Sequence, residues 1–372
     1  MRVPFLDLSP SIASRARLLA ACARVVDSGR YIGGPEVERF EAQVAEYLGA
    51  PHAVACSSGS DALVIALTAL GVGHGDEVVL PAFSFFATAE SVVRVGAVPR
   101  FVDIELDTLG ADPAGVARAV SSKTRAILAV HIAGTPAPLD ALRSVAQAHS
   151  LPLIEDAAQA FGARWQGQAL GTFGDVGCFS FQATKPLGAL GDAGLLVCAD
   201  AERARLCRRL TLHGAQGRHE HTAIGGNYRM DALHAAMLSE KLAEYPDGLG
   251  VRERIAHTYS EGLAGLAGLG LPLLAAGSRS CHSLYTLRVE GEGRRDALGR
   301  HLTERGVETS VYYPTPLYRQ EALVARGYGL PPGSFPNVEL ACRQVLSLPI
   351  HSALAPAQVE HVIDSTRAFF LA

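Results

Sequence analysis

Lysine is nearly absent from this chain. Of the 33 lysines and arginines among its 372 residues, only Lys123, Lys185 and Lys241 are lysine. Such a bias suits a GC-rich genome, in which arginine is written wherever any cation serves. Long apolar runs are missing as well: none approaches the roughly 20 residues a membrane-spanning helix needs. The opening stretch MRVPFLDLSPSIASRAR lacks the charged-then-apolar order of an export signal, so the cytoplasm is the expected compartment. No CxxC pair occurs. The seven dispersed cysteines (Cys22, Cys56, Cys178, Cys198, Cys207, Cys281 and Cys342) read as reduced core thiols, and no metal site is expected. A formal net charge of −4 with scattered arginines argues against a nucleic-acid footprint or a polybasic membrane anchor.

What is present describes a well-packed globular chain, 48% hydrophobic and 19% charged, long enough for two domains. Between residues 52 and 213, short apolar runs alternate with amphipathic segments. Strands are expected at 52–57, 77–81, 98–103, 125–131 and 151–156, with helices between them at 61–71 and 138–149. Alternation of this kind predicts an α/β fold, a mostly parallel central sheet flanked by helices on both faces. Upstream, PEVERFEAQVAEYLG (35–49) carries Pro at a first helical position, one apolar stripe and Gly49 as a stop. The pattern changes near Pro246. A smaller α+β unit is expected after it, with helices at 251–264, 295–305 and 355–370 and strands at 283–289 and 307–313. The division is drawn between 1–245 and 246–372.

Three stretches carry chemistry. Lys185 stands in FSFQATKPLGALGDAG, among apolar residues and glycines. A neutral amine can form a Schiff base with a carbonyl, whereas a guanidinium with pKa above about 12 cannot. The alternative is an ordinary surface lysine. The run LIEDAAQA ends a strand in Glu155-Asp156, at the edge where open α/β sheets bind ligands. There Asp156 either caps a following helix or holds a protonated ring nitrogen, with Gln159 reaching the same ligand. The turn CSSGSDAL places Ser57, Ser58 and Ser60 at a helix start, where free amides favour an anion. Gly188, Gly191 and Gly194 are spaced G-x-x-G-x-x-G and precede a strand, which rules out a dinucleotide fingerprint. An amine, a carboxylate and an anion-binding helix start together match pyridoxal 5′-phosphate, an aldehyde with a ring nitrogen and a phosphate.

Collinear stretches (VPFLDL, YIGGPEVERFE, SSGSDAL, IEDAAQAFGA, GCFSFQATKPLGALGDAG, GGNYRMDALHAA and YYPTPLY among them) make the chain resemble the DegT/DnrJ/EryC1/StrS family of sugar aminotransferases over nearly its whole length. The resemblance implies the type I aminotransferase fold with a smaller C-terminal domain, and a homodimer with shared active sites. It implies Lys185 as the Schiff-base lysine and proton shuttle, Asp156 as partner of the pyridine nitrogen, and Gln159 beside the phenolic oxygen. It also implies Phe85 as a stacking ring, and Ser60, Ser180 and the amides of Gly59 and Asp61 at the phosphate. Asn227 is expected to reach the neighbouring subunit's phosphate, with Arg229 and Tyr313 as substrate contacts. For Arg229 a structural ion pair is the equal alternative.

The same resemblance implies transamination from L-glutamate, through pyridoxamine 5′-phosphate, to a nucleotide-linked keto-sugar. TKPLGALGDAG is similar to the members that aminate C3 of a dTDP-3-keto-6-deoxyhexose. A C4 keto-sugar, an inosose, and a non-catalytic regulatory protein that binds the cofactor are the alternatives. The family pattern HYPxPLH reads YYPTPLY here, so Tyr312 and Tyr318 stand in place of histidines, and Pro246 is expected to interrupt a helix that otherwise runs unbroken. Both departures are expected to touch the sugar pocket or its rim.

Overall fold

The computed structural model describes residues 1–9 and 11–371. Seven strands form its central sheet: β1 (His52–Cys56), β2 (Glu77–Pro81), β3 (Val98–Val102), β4 (Thr124–Val130), β5 (Leu153–Asp156), β6 (Val176–Ser180) and β7 (Gly194–Cys198). Their order is β1-β7-β6-β5-β4-β2-β3. Only β7 runs antiparallel to its neighbours, so the C-terminal ends of the other six lie along one edge. The central strands are buried nearly end to end, which is why they read as unbroken apolar runs.

Helices cover both faces: α1 (Ile12–Ser28), α2 (Pro35–Leu48), α3 (Gly59–Ala69), α4 (Phe86–Arg94), α5 (Pro113–Ala119), α6 (Leu139–Ala148) and α7 (Ala201–Thr211). In α2, Pro35 sits in the first turn and Gly49 closes the helix at φ 68°, a left-handed position that costs a residue without Cβ little. No helix among the described residues is long and apolar enough to cross a membrane.

The next helix corrects the expected break at Pro246 and, with it, the separate helix expected at 251–264. α8 runs from Ala232 to Leu263 straight through Pro246. Proline removes one hydrogen bond of the helical ladder. The side chains flanking it (Leu242, Tyr245, Leu249 and Arg252) are all buried, and their packing carries the helix past that loss. The core changes partner within this helix: Leu242, Tyr245 and Leu249 pack with the large unit, Ile255 onward with the second. The second unit is built on a three-stranded antiparallel sheet of Leu269–Gly270, Tyr285–Val289 and Val345–Leu348. Leu317, Tyr318, Val338 and Ala341 nonetheless pack into the large core. The strand expected at 307–313 does not form. Val307 and Ser310 make isolated bridges to Val3 and Ser347, and the segment leaves the sheet toward Tyr312 and Tyr313.

Candidate active site

Strand ends from across the sheet meet around one cavity of about 380 Å³. Its walls come from the β1–α3 turn (Ser58, Gly59, Ser60), the start of α4 (Ser84, Phe85, Thr88) and the ends of β4 and β5 (His131, Asp156, Gln159). The loop after β6 (Ser180, Lys185, Asp192) and the pair Tyr312 and Tyr313 complete them. A parallel sheet delivers residues far apart in sequence to a single edge.

Asp156 is buried at the end of β5, and its Oδ2 accepts the Thr88 hydroxyl at 2.8 Å. Thr88 has one hydroxyl proton and a carboxylate can only accept, so Ser84 donates to Thr88, at 2.7 Å. Oδ1 accepts the Ala158 amide at 3.2 Å. No helix follows, and Asp156 closes a turn rather than capping one. Burial pushes its carboxyl above the usual range, while the Thr88 hydroxyl, the Ala158 amide and the charge of Lys185 pull it back.

Glu155 does not share this role. The pleat turns it to the opposite face. There it is fully buried and accepts the amides of Gly171, Phe173 and Gly174 at 2.7, 2.6 and 2.7 Å. Its Oε2 also lies 2.9 Å from His131 Nε2. Because His131 Nδ1 accepts the Ala137 amide at 3.1 Å, the ring proton sits on Nε2 and is given to Glu155.

Lys185 projects from a loop that doubles back on itself. Phe181 donates to Ala193, Ala183 to Gly191 and Ala189 to Phe181, all through backbone at 2.7 to 3.0 Å. The turn needs glycine: a Cβ on Gly188 would lie 2.4 Å from the Ala183 carbonyl oxygen. The Lys185 amine has no hydrogen-bond partner among the described residues. Burial lowers its pKa below the ordinary lysine range, and the charge of Asp156 opposes that shift.

At the start of α3, Ser58 caps the helix by accepting the Asp61 amide at 3.1 Å. The Asp61 carboxylate takes the hydroxyls of Ser57 and Ser58 at 2.7 and 3.0 Å and pairs with Arg94 at 3.2 Å. The Asp61 amide is therefore already used, and Asp61 lies outside the cavity, contrary to the sequence expectation. The amides of Gly59 and Ser60 remain open among the described residues. This cradle depends on close approach: a Cβ on Gly59 would meet Ser180 Cβ at 2.6 Å, and one on Gly194 the Ser58 carbonyl carbon at 2.3 Å.

Gln159 is also committed on one side. Its Oε1 accepts the Ala133 amide at 2.8 Å and its Nε2 donates to the Tyr313 hydroxyl at 2.9 Å, leaving one N–H free. Phe85 is 57% exposed at the mouth, its ring centroid 6.1 Å from that of Tyr313. Tyr312 lines the wall, but Tyr318 does not. Tyr318 is fully buried, packs on Phe101 and Phe335, and donates to Glu339 at 2.8 Å, so its exchange for histidine leaves the pocket untouched.

Asn227 and Arg229 are not brought to this cavity. Asn227 is exposed, and Arg229 makes no ion pair among the described residues, its buried Nε lacking a partner. Thr88, Ser84 and His131 escaped the sequence reading. The one available signal was that Thr88 follows Phe85 by three residues, one helical turn on.

Comparison with known proteins accords with this arrangement. The family model for DegT/DnrJ/EryC1/StrS aminotransferases matches residues 13–367. A Streptomyces venezuelae dTDP-3-amino-3,4,6-trideoxy-alpha-D-glucose transaminase is 44% identical over 367 residues, 98% of this chain and 96% of its own. The crystal structure of S. venezuelae DesV in complex with a ketimine intermediate superposes with a TM-score of 0.96 at 44% identity, covering 100% of this chain and 99% of that one. The crystal structure of NtdA from Bacillus subtilis with bound cofactor PMP gives 0.92 at 30% identity, covering 100% and 86%. The chain belongs to the DegT/DnrJ/EryC1/StrS aminotransferase family.

Proposed function

We propose that this protein is a pyridoxal 5′-phosphate-dependent transaminase that moves an amino group from L-glutamate to C3 of a dTDP-linked keto-deoxysugar. One observation carries the chemistry: an unpartnered amine, a buried carboxylate and two open helix-start amides line a single cavity. The fit to the cofactor is direct. Lys185 suits its aldehyde, Asp156 its ring nitrogen, and Gly59, Ser60 and Ser180 its phosphate. Phe85 and Gln159 flank the space between. Bound there, pyridoxal 5′-phosphate supplies an electron sink.

The residues do the rest. Asp156, whose burial-raised pKa the Thr88 hydroxyl pulls back, places a carboxylate where a protonated ring nitrogen needs a negative charge. Burial makes the Lys185 amine easier to deprotonate, which suits Nζ to take and return the substrate Cα proton. The low exposure of Asp156, Gln159 and His131 keeps water from the cavity floor. The S. venezuelae relative and the TKPLGALGDAG ending support the C3 assignment.

A homodimer completes the proposal. Exposed Asn227 bridges to Leu212, and Leu212, Ile224, Tyr31 and Ile32 all leave large hydrophobic side chains exposed, with Ile32 bridged to Asp231 of the same chain. A second copy covering them would bring Asn227 and Arg229 to its cofactor and substrate. The test of the substrate assignment offers 3-keto and 4-keto dTDP-hexoses with L-glutamate and reads the product by NMR. Amination at C3 is expected; amination at C4 overturns it.

A further inference from the structure

Of the three lysines, Lys185 lines the cavity and Lys123 is exposed. Lys241 does neither. It is half-buried on α8 under the loop that carries Lys185, and its ammonium donates to the Gly188 carbonyl. No carboxylate acts on it; burial alone depresses its pKa. Seven residues before it, two helical turns along the same face, His234 stands against that loop: a Cβ on Gly191 would lie 3.1 Å from its Nε2. α8 therefore touches the loop at two points, and at one of them with a charged donor.

We infer that Lys241 is a positioning residue whose ammonium pins the Gly188 carbonyl and so fixes the loop from which Lys185 reaches the cavity. The loop has reason to need a tether. It lies outside helix and sheet, and glycines at 188 and 191 leave its backbone freer than other residues would. Leu187 and Ala189 pack into the core beneath, and the internal hydrogen bonds close the neck, but among the described residues Lys241 is the one donor from the body to the loop's backbone. Gly188 is three residues from Lys185, so a shift there reaches the amine. A charge-assisted donor holds a carbonyl more firmly than a neutral one. The tether acts through the backbone, since Lys241 holds the Gly188 carbonyl rather than the Lys185 amine. What Lys185 does rests on the proposed function; the pinning itself does not.

Two measurements on the full chain separate these. Amide exchange of the 181–193 peptide is followed in the wild type, Lys241→Met and Lys241→Arg. Methionine keeps the length of the chain and removes the donor, and exchange at Ala183, Lys185 and Ala189 should rise roughly tenfold or more. Arginine keeps a donor and should restore most of the protection. Unchanged exchange in Lys241→Met overturns the inference. So does a loss spread evenly along α8, or an arginine variant as loose as the methionine one. In parallel, pyridoxal 5′-phosphate is added and trapped with borohydride, and the rate at which its mass appears on Lys185 is recorded. Lys241→Met should slow that rate with little change in thermal stability. Absence of the added mass on wild-type Lys185 would refute the function instead, leaving the exchange result to judge the clamp.

Discussion

Replacing Thr88 by valine keeps the shape of the side chain and removes the hydroxyl that donates to Asp156 at 2.8 Å. A hydrogen bond to a buried charged group contributes on the order of 1.5–3 kcal/mol. In the variant the Asp156 carboxylate would keep only the Ala158 amide, at 3.2 Å, and Ser84 would lose its acceptor. The sign of the pH dependence follows from burial. The folded-state pKa of Asp156 is raised above its unfolded value of 3.8, so the folded chain holds a proton the unfolded chain releases. Its contribution to stability therefore falls as pH rises through 3.8 to the folded pKa, and stays low above it. Valine pushes the folded pKa higher still. The penalty of the substitution should be small in acid, where Asp156 is neutral in both proteins, and reach its full size at alkaline pH. Urea unfolding of the cofactor-free chain below pH 3.8 and at about pH 8 measures the difference. Cofactor affinity should fall roughly tenfold at neutral pH, since every 1.4 kcal/mol is a factor of ten. A penalty equal at both pH values, or none, would refute the claim that the Thr88 hydroxyl stabilises the Asp156 carboxylate.

Other substitutions probe other parts of the site. Gly59→Ala must displace Ser180, costing about 1–3 kcal/mol, and should weaken pyridoxal 5′-phosphate binding in a thermal-shift titration; full retention of affinity would remove Gly59 from the cradle. Tyr318→Phe should lower the melting temperature while leaving KM for the keto-sugar unchanged, because its hydroxyl serves Glu339 and not the cavity. Asn227→Ala and Lys185→Ala should each be inactive alone and regain activity when mixed, since one site of the hybrid dimer then holds both native residues. Hybrids that stay inactive while both homodimers bind cofactor would count against a shared site.

The parts of the fold legible in the sequence are those written in local pattern. Strands such as Glu77–Pro81 read clearly because both their faces are covered, and Pro35 and Gly49 mark the ends of α2 by backbone preference alone. The misreadings share a cause: tertiary context outweighed a local rule. Pro246 looked like a break, but buried neighbours on both sides hold the helix through it. Residues 307–313 have strand-like composition, yet only Val307 and Ser310 find bridging partners. At the site, Lys185 and Asp156 were legible because their chemistry is rare in this chain or costly when buried. Thr88 was not, because a hydroxyl means little until the fold sets it against a carboxylate 68 residues away. Asp61 was read as an open amide, a reading the Ser58 cap reverses.

The central claim is that Lys185 and Asp156 form the working core of a transaminase. The most direct measurement is the visible absorbance of the chain loaded with pyridoxal 5′-phosphate, before and after L-glutamate. Wild type should be yellow and lose its visible band when the amino donor is added, while Lys185→Arg should fold and remain colourless. A wild-type band unmoved by any amino donor, or a yellow and active Lys185→Arg, would contradict the account.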